Sequence, residues 1–345
     1  MSRTFNNYKR AKINPESRLN YLRLDKNERV SKFPKNFIKI FKKELNSENI
    51  NSYPEIFKFY QLLSKNHSIK KEFFIATAGI DSGLRNCVEL FGNKKVLVLR
   101  PTFAMIEIYC KIYKKKVISA RYDKNLQLDK KKLINNINNK VSLIIISNPN
   151  SPTGTVIDLF TIECILKKAK KYGAKVVIDE AYYGFCKITA ESLVKKFNNL
   201  IILRTFSKAY GLAGLRVGYA ISQPKNIKLF TNIKPMYEVN SFGILGANIL
   251  LKYKNIRKKY LKDINKGKKY LVNFFKEKKI SFNECEGNFI LFKLKKNKEK
   301  YFTKFKRNKI KIAQSFKDNC LNGYSRVTLA PKKEILRFTK LLKNY

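Results

Sequence analysis

The chain has 345 residues, of which 44% are hydrophobic, enough for a large core and, at roughly 150 residues per domain, for two domains. Its 74 Lys and Arg residues outnumber its 25 Asp and Glu residues, and the formal net charge is +49. Because these cations are spread along the whole chain without an RNP, zinc-finger or basic-zipper pattern, we do not expect nucleic-acid binding to be the main function. The positive field favours anionic small molecules such as phosphates and carboxylates.

The cysteine and histidine content argues against metal and triad chemistry. The six cysteines are scattered without a CxxC pair, and His67 is the only histidine, so we predict no zinc site. A Ser/His/Asp triad is not expected either, because the segment around His67, HSIKKEF, offers no partner. Free thiols indicate a reducing, cytoplasmic setting. No apolar run reaches about 18 residues, so no membrane span is predicted.

Before residue 235 the apolar pattern predicts alternating helices and strands. The predicted helices cover 31–47 with Ser31 as N-cap, 76–91 after a glycine turn, 103–113, and 161–173 ending at Gly173. The predicted strands cover 94–101, 116–122, 141–149, 174–180, 199–206 and 215–221. Nearly continuous apolar strands that alternate with helices indicate a parallel or mixed sheet covered by helices on both faces.

After about residue 235 the pattern changes. A lysine-rich helical stretch over 240–278 precedes short strands at 279–284 and 288–294 and a final helix. This order predicts a smaller α+β domain. The charge-rich stretch 293–309 is expected to be a solvated helix face.

Polar side chains follow several predicted strands at their carboxyl ends, where open α/β sheets bind ligands. Lys208 lies between the apolar run LIILRTF and a glycine-rich segment, and a partly desolvated lysine has a lowered pKa and can form a Schiff base. Asp179, at a strand end, can hold a pyridine nitrogen protonated, and Tyr182 can bond a ring oxygen. These groups are the ones that a pyridine aldehyde phosphate needs.

Phosphate and ring contacts are predicted from the same part of the chain. The segment TAGID (77–81) offers backbone N–H groups at a helix N-terminus, and Arg216 offers a forked cation. Phe103 offers a stacking surface. Each feature alone has a structural explanation: Asp179 as a cap or ion-pair partner, Phe103 as core, NPNSPTG as a turn-rich loop. Their combination in chain order favours a cofactor site.

Seven segments together resemble the fold-type I, class I/II aminotransferases, which use pyridoxal phosphate, and are most similar to the histidinol-phosphate aminotransferase branch. These segments are RLDKNE, YPE, ATAGID, RPTFAMIEIY, NPNSPTG, VIDEAYYGF and RTFSKAYGLAGLRVGY. The resemblance runs from 22 to 331 and implies a large domain, with a mostly parallel central sheet between helices, plus a smaller α+β domain. The implied limits are an N-terminal arm over 1–30, which joins the small domain and a dimer interface, a large domain over 31–235 and a small domain over 236–345.

The resemblance also implies roles for individual residues. Lys208 forms the Schiff base with the cofactor and then moves the substrate proton, while Asp179 pairs with the pyridine nitrogen and Tyr182 with the ring oxygen. The remaining implied cofactor contacts are Ser207, Arg216, Phe103 in place of the family's tyrosine, and the backbone of Gly79, Ile80 and Asp81. Tyr53 reaches the phosphate of the neighbouring subunit, which implies a homodimer, and Arg326 grips the substrate carboxylate or its equivalent.

The chain departs from the family at three places. Ser151 stands where the family has an asparagine that bonds the ring oxygen, so that bond is lost, water-mediated or taken over by Asn150. Gln314 stands where the branch has a second arginine for the substrate phosphate. A substrate-facing tyrosine near the N-terminus is missing, and Arg29 or Lys32 stands in. We therefore expect a substrate other than histidinol phosphate.

The leading prediction is a cytoplasmic aminotransferase that moves nitrogen from an amino acid, with glutamate as donor, to a keto acceptor. One alternative is a pyridoxal-phosphate-dependent decarboxylase of a phosphorylated amino acid, which releases CO2 without a keto acceptor. The other is a non-catalytic, basic nucleic-acid-binding protein. The presence of Lys208, Asp179 and Arg216 argues against that second alternative, since a binding module needs none of them.

Overall fold

The structure is a computed structural model that describes residues 17–295 and 297–345. Its strands are β1 (Leu22–Leu24), β2 (Phe74–Thr77), β3 (Lys95–Arg100), β4 (Val117–Arg121), β5 (Val141–Ser147), β6 (Lys175–Asp179), β7 (Leu200–Thr205), β8 (Gly218–Ser222), β9 (Ser281–Glu284), β10 (Phe289–Lys293), β11 (Ile310–Ile312) and β12 (Tyr324–Thr328). Its α-helices are α1 (Lys35–Glu44), α2 (Glu48–Asn51), α3 (Phe57–His67), α4 (Gly79–Phe91), α5 (Ala104–Ile112), α6 (Lys130–Asn135), α7 (Leu159–Lys171), α8 (Pro224–Ile233), α9 (Ser241–Lys252), α10 (Lys254–Glu277), α11 (Lys298–Arg307) and α12 (Lys332–Lys340).

A seven-stranded sheet with the order β2-β8-β7-β6-β5-β3-β4 forms the centre of the molecule. Strands β4, β3, β5, β6 and β7 are parallel, and β8 runs antiparallel to both of its neighbours. The inner strands are buried over nearly their whole length because helices cover both faces: α1, α3, α7 and α9 on one side and α4, α5 and α8 on the other. The predicted mixed sheet between helices is therefore confirmed.

A second, smaller layer contains the antiparallel sheet β12-β10-β9 and the parallel pair β1-β11. Its core is filled by residues of α10, α11 and α12, so the predicted α+β character after residue 235 is confirmed. The change of core falls within α10, since Ile256 packs with the large sheet and Tyr260 with the small one. The predicted limits 1–30, 31–235 and 236–345 stay predictions, and residues 1–16 of the arm lie outside the described residues.

Several element boundaries differ from the sequence prediction. Ser31 caps no helix; α1 begins after Pro34, whose fixed φ suits a helix start. The strand predicted over 215–221 begins at Gly218, because Arg216 has a left-handed backbone with φ of 49°. The predicted stretch 240–278 is two helices that meet at Tyr253. Gly173 follows the last turn of α7 with φ of 70°, as predicted.

The sequence pattern did not predict strands β2 and β12 or helix α3. Strand β2 has four residues, and all of them are buried. The charge-rich stretch 293–309 forms the end of β10, helix α11 and the residues around them, apart from residue 296, which lies outside the described residues. In the described part of the chain, no helix is long and apolar enough to cross a membrane.

A close backbone approach holds α10 against the start of α12. A Cβ atom on Gly267 would lie 1.9 Å from the carbonyl oxygen of Ala330. We expect Gly267→Ala to lower the free energy of unfolding by ~1–3 kcal/mol, because the helix must shift away from a rigid backbone atom. Urea unfolding measures this, with Gly214→Ala as the control, since a Cβ on Gly214 meets nothing within 4 Å. A Gly267→Ala protein as stable as the control would contradict the packing argument.

Candidate functional site

A cavity of about 510 Å³ opens at the carboxyl ends of β5, β6 and β7. This volume is typical of small-molecule sites, and the position is the one expected for an open α/β sheet. The lining residues are Arg18, Lys26, Asn27, Glu28, Ile80, Asp81, Phe103, Ser147, Pro149, Ser151, Asp179, Ala181, Tyr182, Thr205, Ser207, Lys208, Ala213, Arg216 and Arg326. The structure thus brings together most of the residues that the sequence predicts for the cofactor.

Lys208 lies in the tight loop that follows β7. The loop is closed by backbone hydrogen bonds from Gly211 to Lys208 and from Leu212 to Phe206. The Lys208 Nζ donates to the Lys26 carbonyl oxygen at 2.9 Å, so the amine faces the cavity beneath the N-terminal segment. Burial lowers the pKa of Lys208 to about 8, and the nearby Arg326 acts in the same direction. A sizeable fraction of the amine is therefore neutral near pH 8.

Asp179 ends β6 and is 3% exposed. The Ser147 hydroxyl donates to one of its carboxylate oxygens and the Ala181 N–H to the other, both at 3.0 Å. Burial raises the pKa of Asp179 to about 6 even though these hydrogen bonds lower it. The carboxylate is charged at pH 7 and lacks a cationic partner among the described residues, so a protonated ring nitrogen would complete it.

Tyr182 is buried just past the end of β6, and its ring packs edge-on against Phe289. Its phenolic oxygen accepts a hydrogen bond from the Asn27 amide nitrogen at 2.9 Å. Burial raises the pKa of Tyr182, so the phenol keeps its proton at pH 7. Phe103, on the cavity wall just before α5, is partly buried against the core beneath the sheet.

A donor-rich cradle lies between the start of α4 and Arg216. Gly79 has φ of 74°, and a Cβ there would lie 2.7 Å from the Arg216 guanidinium, so only glycine fits. Arg216 donates to the Ser207 hydroxyl at 3.4 Å and pairs with Asp81 at 3.1 Å. The first N–H groups of a helix have no partner within the helix, and here they face a cation and a hydroxyl.

This cradle suits a phosphate. The Thr77 hydroxyl, a possible donor, is buried just before α4 without a hydrogen-bond partner. Such orphaned atoms are rare in folded proteins and mark a place where a ligand or water belongs. Together with the reactive amine, the carboxylate and the phenol, the donor set fits pyridoxal phosphate.

Arg326, on β12, is the cation on the other side of the cavity. It donates to the Asp25 carbonyl oxygen at 2.9 Å and to the Ser151 hydroxyl at 3.4 Å, and its Nε is buried without a partner. Among the described residues it has no carboxylate partner. Burial lowers its pKa, which shows that the protein leaves its charge poorly compensated. An anion in the cavity would offset that cost.

Asn150 does not contribute to the cavity, contrary to one alternative from the sequence. It is fully buried, and its amide nitrogen donates to the Pro101 carbonyl and the Thr153 hydroxyl, both at 2.8 Å. Its amide oxygen accepts from Thr102 at 2.9 Å. The amide is used to join two loops, so it cannot take over the bond that is missing at Ser151.

Three other predicted residues also lie away from the cavity lining. Arg29 is held between the rings of Phe33 and Tyr260, 4.2 Å from each centroid, and donates to the carbonyls of Ser31 and Lys32. This packing gives Arg29 a structural place, and a substrate contact for it has no support in this geometry. Gln314 is exposed and touches the neighbouring strand through its backbone. Tyr53 is 71% exposed and stacks on Tyr237.

Sequence reasoning missed nine residues that line the cavity: Arg18, Lys26, Asn27, Glu28, Ser147, Pro149, Ala181, Thr205 and Ala213. Ser147 and Thr205 are the last residues of β5 and β7, so the strand-end rule could have found them. Asn27 has no such signal, because it reaches the site through a left-handed turn between the small sheet and the large domain.

Comparisons with known proteins agree with this site. Residues 20–339 match the family described as aminotransferase class I and II. Histidinol-phosphate aminotransferase of Methanocaldococcus jannaschii is 31% identical over 86% of this chain and 82% of its own. The histidinol-phosphate aminotransferase structure from Clostridium acetobutylicum gives a TM-score of 0.82 at 24% identity, over 94% of this chain and 98% of its own.

A further structure carries the cofactor. Histidinol-phosphate aminotransferase from Sinorhizobium meliloti in complex with pyridoxal-5′-phosphate gives a TM-score of 0.80 at 20% identity, over 93% of this chain and 90% of its own. The two structural likenesses establish the fold, and the family match spans nearly the whole chain. The chain therefore belongs to the class I and II aminotransferases and uses pyridoxal 5′-phosphate as its cofactor.

Proposed function

We propose that this aminotransferase takes its amino group from an amino acid, with glutamate as the donor, and passes it to a keto acceptor, and that histidinol phosphate is not its substrate. The observation that carries the proposal is the Arg326 guanidinium, which lies in the same cavity as the Lys208 amine, has a buried Nε without a hydrogen-bond partner and has no carboxylate partner among the described residues. A substrate carboxylate on Arg326 would bring its amino group and Cα towards Lys208.

The roles of the cofactor residues follow from their contacts. Bound pyridoxal phosphate supplies an electron sink for the carbon that loses its proton. Asp179 would hold the ring nitrogen protonated, and the Tyr182 phenol would donate to the ring oxygen. Phe103 would stack on the ring. Ser207, Arg216 and the N–H groups of Gly79, Ile80 and Asp81 would hold the phosphate.

Lys208 is the group that moves the proton. Its pKa of about 8 lies close to neutral pH, where a general base both accepts and returns protons efficiently. The cations Arg326 and Arg216 keep that pKa low, while Glu28 and Asp81 raise it. We propose that the neutral amine would take the proton from the substrate Cα and hold it on Nζ until it is returned.

The cations of the cavity support a substrate other than histidinol phosphate. Arg18 is already paired with Asp25 at 2.6 Å and Glu28 at 2.9 Å, and Arg216 is assigned to the cofactor. Gln314 is neutral and exposed. Of the arginines that line the cavity in the described residues, Arg326 alone is left for a substrate anion, so a second strongly charged phosphate has no forked cation to meet.

The decisive experiment is a half-reaction of the loaded protein. With L-glutamate alone, we expect the visible absorption band to convert fully and one 2-oxoglutarate to appear per site. Histidinol phosphate at the same concentration should leave the band unchanged. Conversion with histidinol phosphate as efficient as with glutamate would overturn the substrate proposal. Release of CO2 from a phosphorylated amino acid, added without a keto acceptor, would instead identify the decarboxylase alternative.

Attachment of the cofactor depends on the neutral Lys208 amine. Because burial lowers its pKa to about 8, the neutral fraction grows as pH rises, and we expect the rate of cofactor capture to rise between about pH 7 and 9. Borohydride reduction followed by peptide mass mapping should find the cofactor on Lys208 and nowhere else. Lys208→Ala should abolish attachment, whereas Lys26→Ala should keep it, because Lys26 contacts the amine through its backbone oxygen. Unchanged amino transfer by Lys208→Ala would refute the assignment.

We further propose a homodimer in which Tyr53 reaches the phosphate of the neighbouring subunit. An exposed apolar patch supports it: Ile50, Tyr53, Phe57, Met236 and Tyr237 are each about half exposed or more. Tyr53 and Tyr237 stack with centroids 3.8 Å apart, and Phe57 and Met236 line one hollow. An apolar patch with aromatic anchors is typical of an interface between subunits.

Tyr53→Phe tests the shared site, because it keeps the stacked ring and removes the hydroxyl. We expect light scattering to give a dimer for both proteins and the affinity for pyridoxal phosphate to fall about tenfold in the variant, the loss of one charge-assisted hydrogen bond. Phe160→Ala, at an exposed aromatic on α7, is the control and should change neither property. A monomer with full cofactor affinity would disprove the proposal.

A cytoplasmic location stays a proposal, supported by six cysteines that are all unpaired. The predicted absence of a metal cofactor and of nucleic acid as main ligand also stay predictions. A metal analysis of the active, loaded protein and a binding assay at low salt would test them.

A further inference from the structure

A buried amide from the N-terminal segment contacts the phenol of the site. Asn27 Nδ2 lies 2.9 Å from Tyr182 Oη, and both side chains are almost fully buried. An amide nitrogen can only donate, so Tyr182 accepts this bond with its oxygen and keeps its own proton for another acceptor. Asn27 adopts a left-handed backbone with φ of 54°, a conformation that asparagine tolerates better than most residues.

The orientation of this amide is fixed by Thr328, whereas Asn288 holds only the backbone of the segment. The Thr328 hydroxyl accepts from the Asn27 backbone N–H at 3.0 Å and donates to its amide oxygen at 3.1 Å. Asn288 donates to the Asn27 carbonyl at 3.1 Å. With its oxygen held by Thr328, the amide can present only its nitrogen to Tyr182.

The loop that carries Ser151 supplies no amide to the ring oxygen of the cofactor. The Ser151 hydroxyl accepts from Arg326 at 3.4 Å. The Asn150 amide nitrogen already donates to the Pro101 carbonyl and the Thr153 hydroxyl, so it is not available to the ring oxygen. Tyr182 is then the main donor available to that oxygen. The direction of its proton therefore has a larger effect than it would have at a site where an amide also donates to the ring oxygen.

We propose that Asn27 is a positioning residue that aims the Tyr182 proton at the ring oxygen of the cofactor and strengthens the phenol as a donor. An oxygen that already accepts a hydrogen bond donates a stronger one, because the two bonds polarise each other. This inference rests on the proposed role of Tyr182 and goes beyond it, since Asn27 acts on the ring oxygen through the phenol.

Other groups also face the phenol and must be held constant in a test. Burial and the Asp179 carboxylate raise the pKa of Tyr182, and the Arg326 guanidinium lowers it. Ser151 and Asn27 lower it through hydrogen bonds. A neutral substitution at Asn27 removes one hydrogen bond and leaves these charges in place.

The test is a pH titration of the visible absorption band of the loaded, resting protein, without substrate. Asn27→Gly removes the amide, permits the left-handed backbone and keeps the backbone bonds to Thr328 and Asn288. We expect the pH midpoint to rise by about one unit, the size of one hydrogen bond, because the ring oxygen then holds its negative charge with a weaker donor. Asn27→Asp, which keeps the shape but adds a carboxylate, should raise it further.

A double-substitution cycle separates positioning from a general effect on folding. In a Tyr182→Phe background, Asn27→Gly should shift the midpoint no further, because the amide acts through the phenol. Asn288→Ala is the matched control: it loosens the same segment without removing the amide and should leave the midpoint in place. Ser151→Asn, combined with Asn27→Gly, should recover part of the shift by restoring an amide near the ring oxygen.

Each outcome decides one proposal. A shift of the same size in the Tyr182→Phe background, or in Asn288→Ala, would overturn the positioning role. An unchanged midpoint in Asn27→Gly would overturn it as well, while the cofactor site itself stands. If the unsubstituted protein gives no visible band with pyridoxal phosphate, the proposed site fails, and that result is distinguishable from failure of the Asn27 proposal.

Discussion

The buried guanidinium of Arg204 holds together the two strand ends on which the site is built. Arg204 is 1% exposed, donates to Glu180 at 2.9 Å and lies over the Tyr183 ring at 3.5 Å. Glu180 directly follows Asp179, the last residue of β6, and Arg204 lies on β7 four residues before Lys208, so this pair ties together the strand ends that lead to the carboxylate and the amine. Removing Arg204 would leave the buried Glu180 carboxylate without its cation, which is strongly destabilising, and would loosen both strand ends.

Burial and the charge balance of the cavity together explain the lowered pKa of Lys208. Lys208 shares a desolvated cavity with Arg326 and Arg216, and only Glu28 and Asp81 oppose them electrostatically. Each added cation disfavours protonation of the amine, whereas water screens the same repulsion at the surface. The positive charge near Lys208 therefore bears on its chemistry, because it lowers the pKa of the amine.

Most of the cofactor side of the cavity could be predicted from sequence, whereas of the predicted substrate residues only Arg326 lies in the cavity lining. Asp179, Tyr182, Ser207 and Lys208 follow apolar strands, and parallel strands must deliver their carboxyl ends to one edge. Arg29 lies in an irregular segment, where no periodicity sets the direction of a side chain, and it packs between two rings instead. Asn150 and Ser151 are neighbours with opposite orientations, which depends on the turn geometry and not on residue type. Strand β2 and the break at Tyr253 were missed because short covered elements lack a clear period.

The segment 25–28 contacts the site mainly through its backbone, so most of its side chains can vary without changing these contacts. Its contacts with Lys208 and Arg326 come from the backbone carbonyls of Lys26 and Asp25, so they are independent of side-chain identity. Asn27 is the one residue of the segment whose side chain bonds a cofactor-facing group, and its shape and left-handed backbone leave few replacements. The side chains of Asp25 and Glu28 turn to Arg18 at the rim of the cavity. Since β1, just before this segment, pairs with β11 of the small sheet, the segment links the small sheet directly to the amine and the phenol of the site.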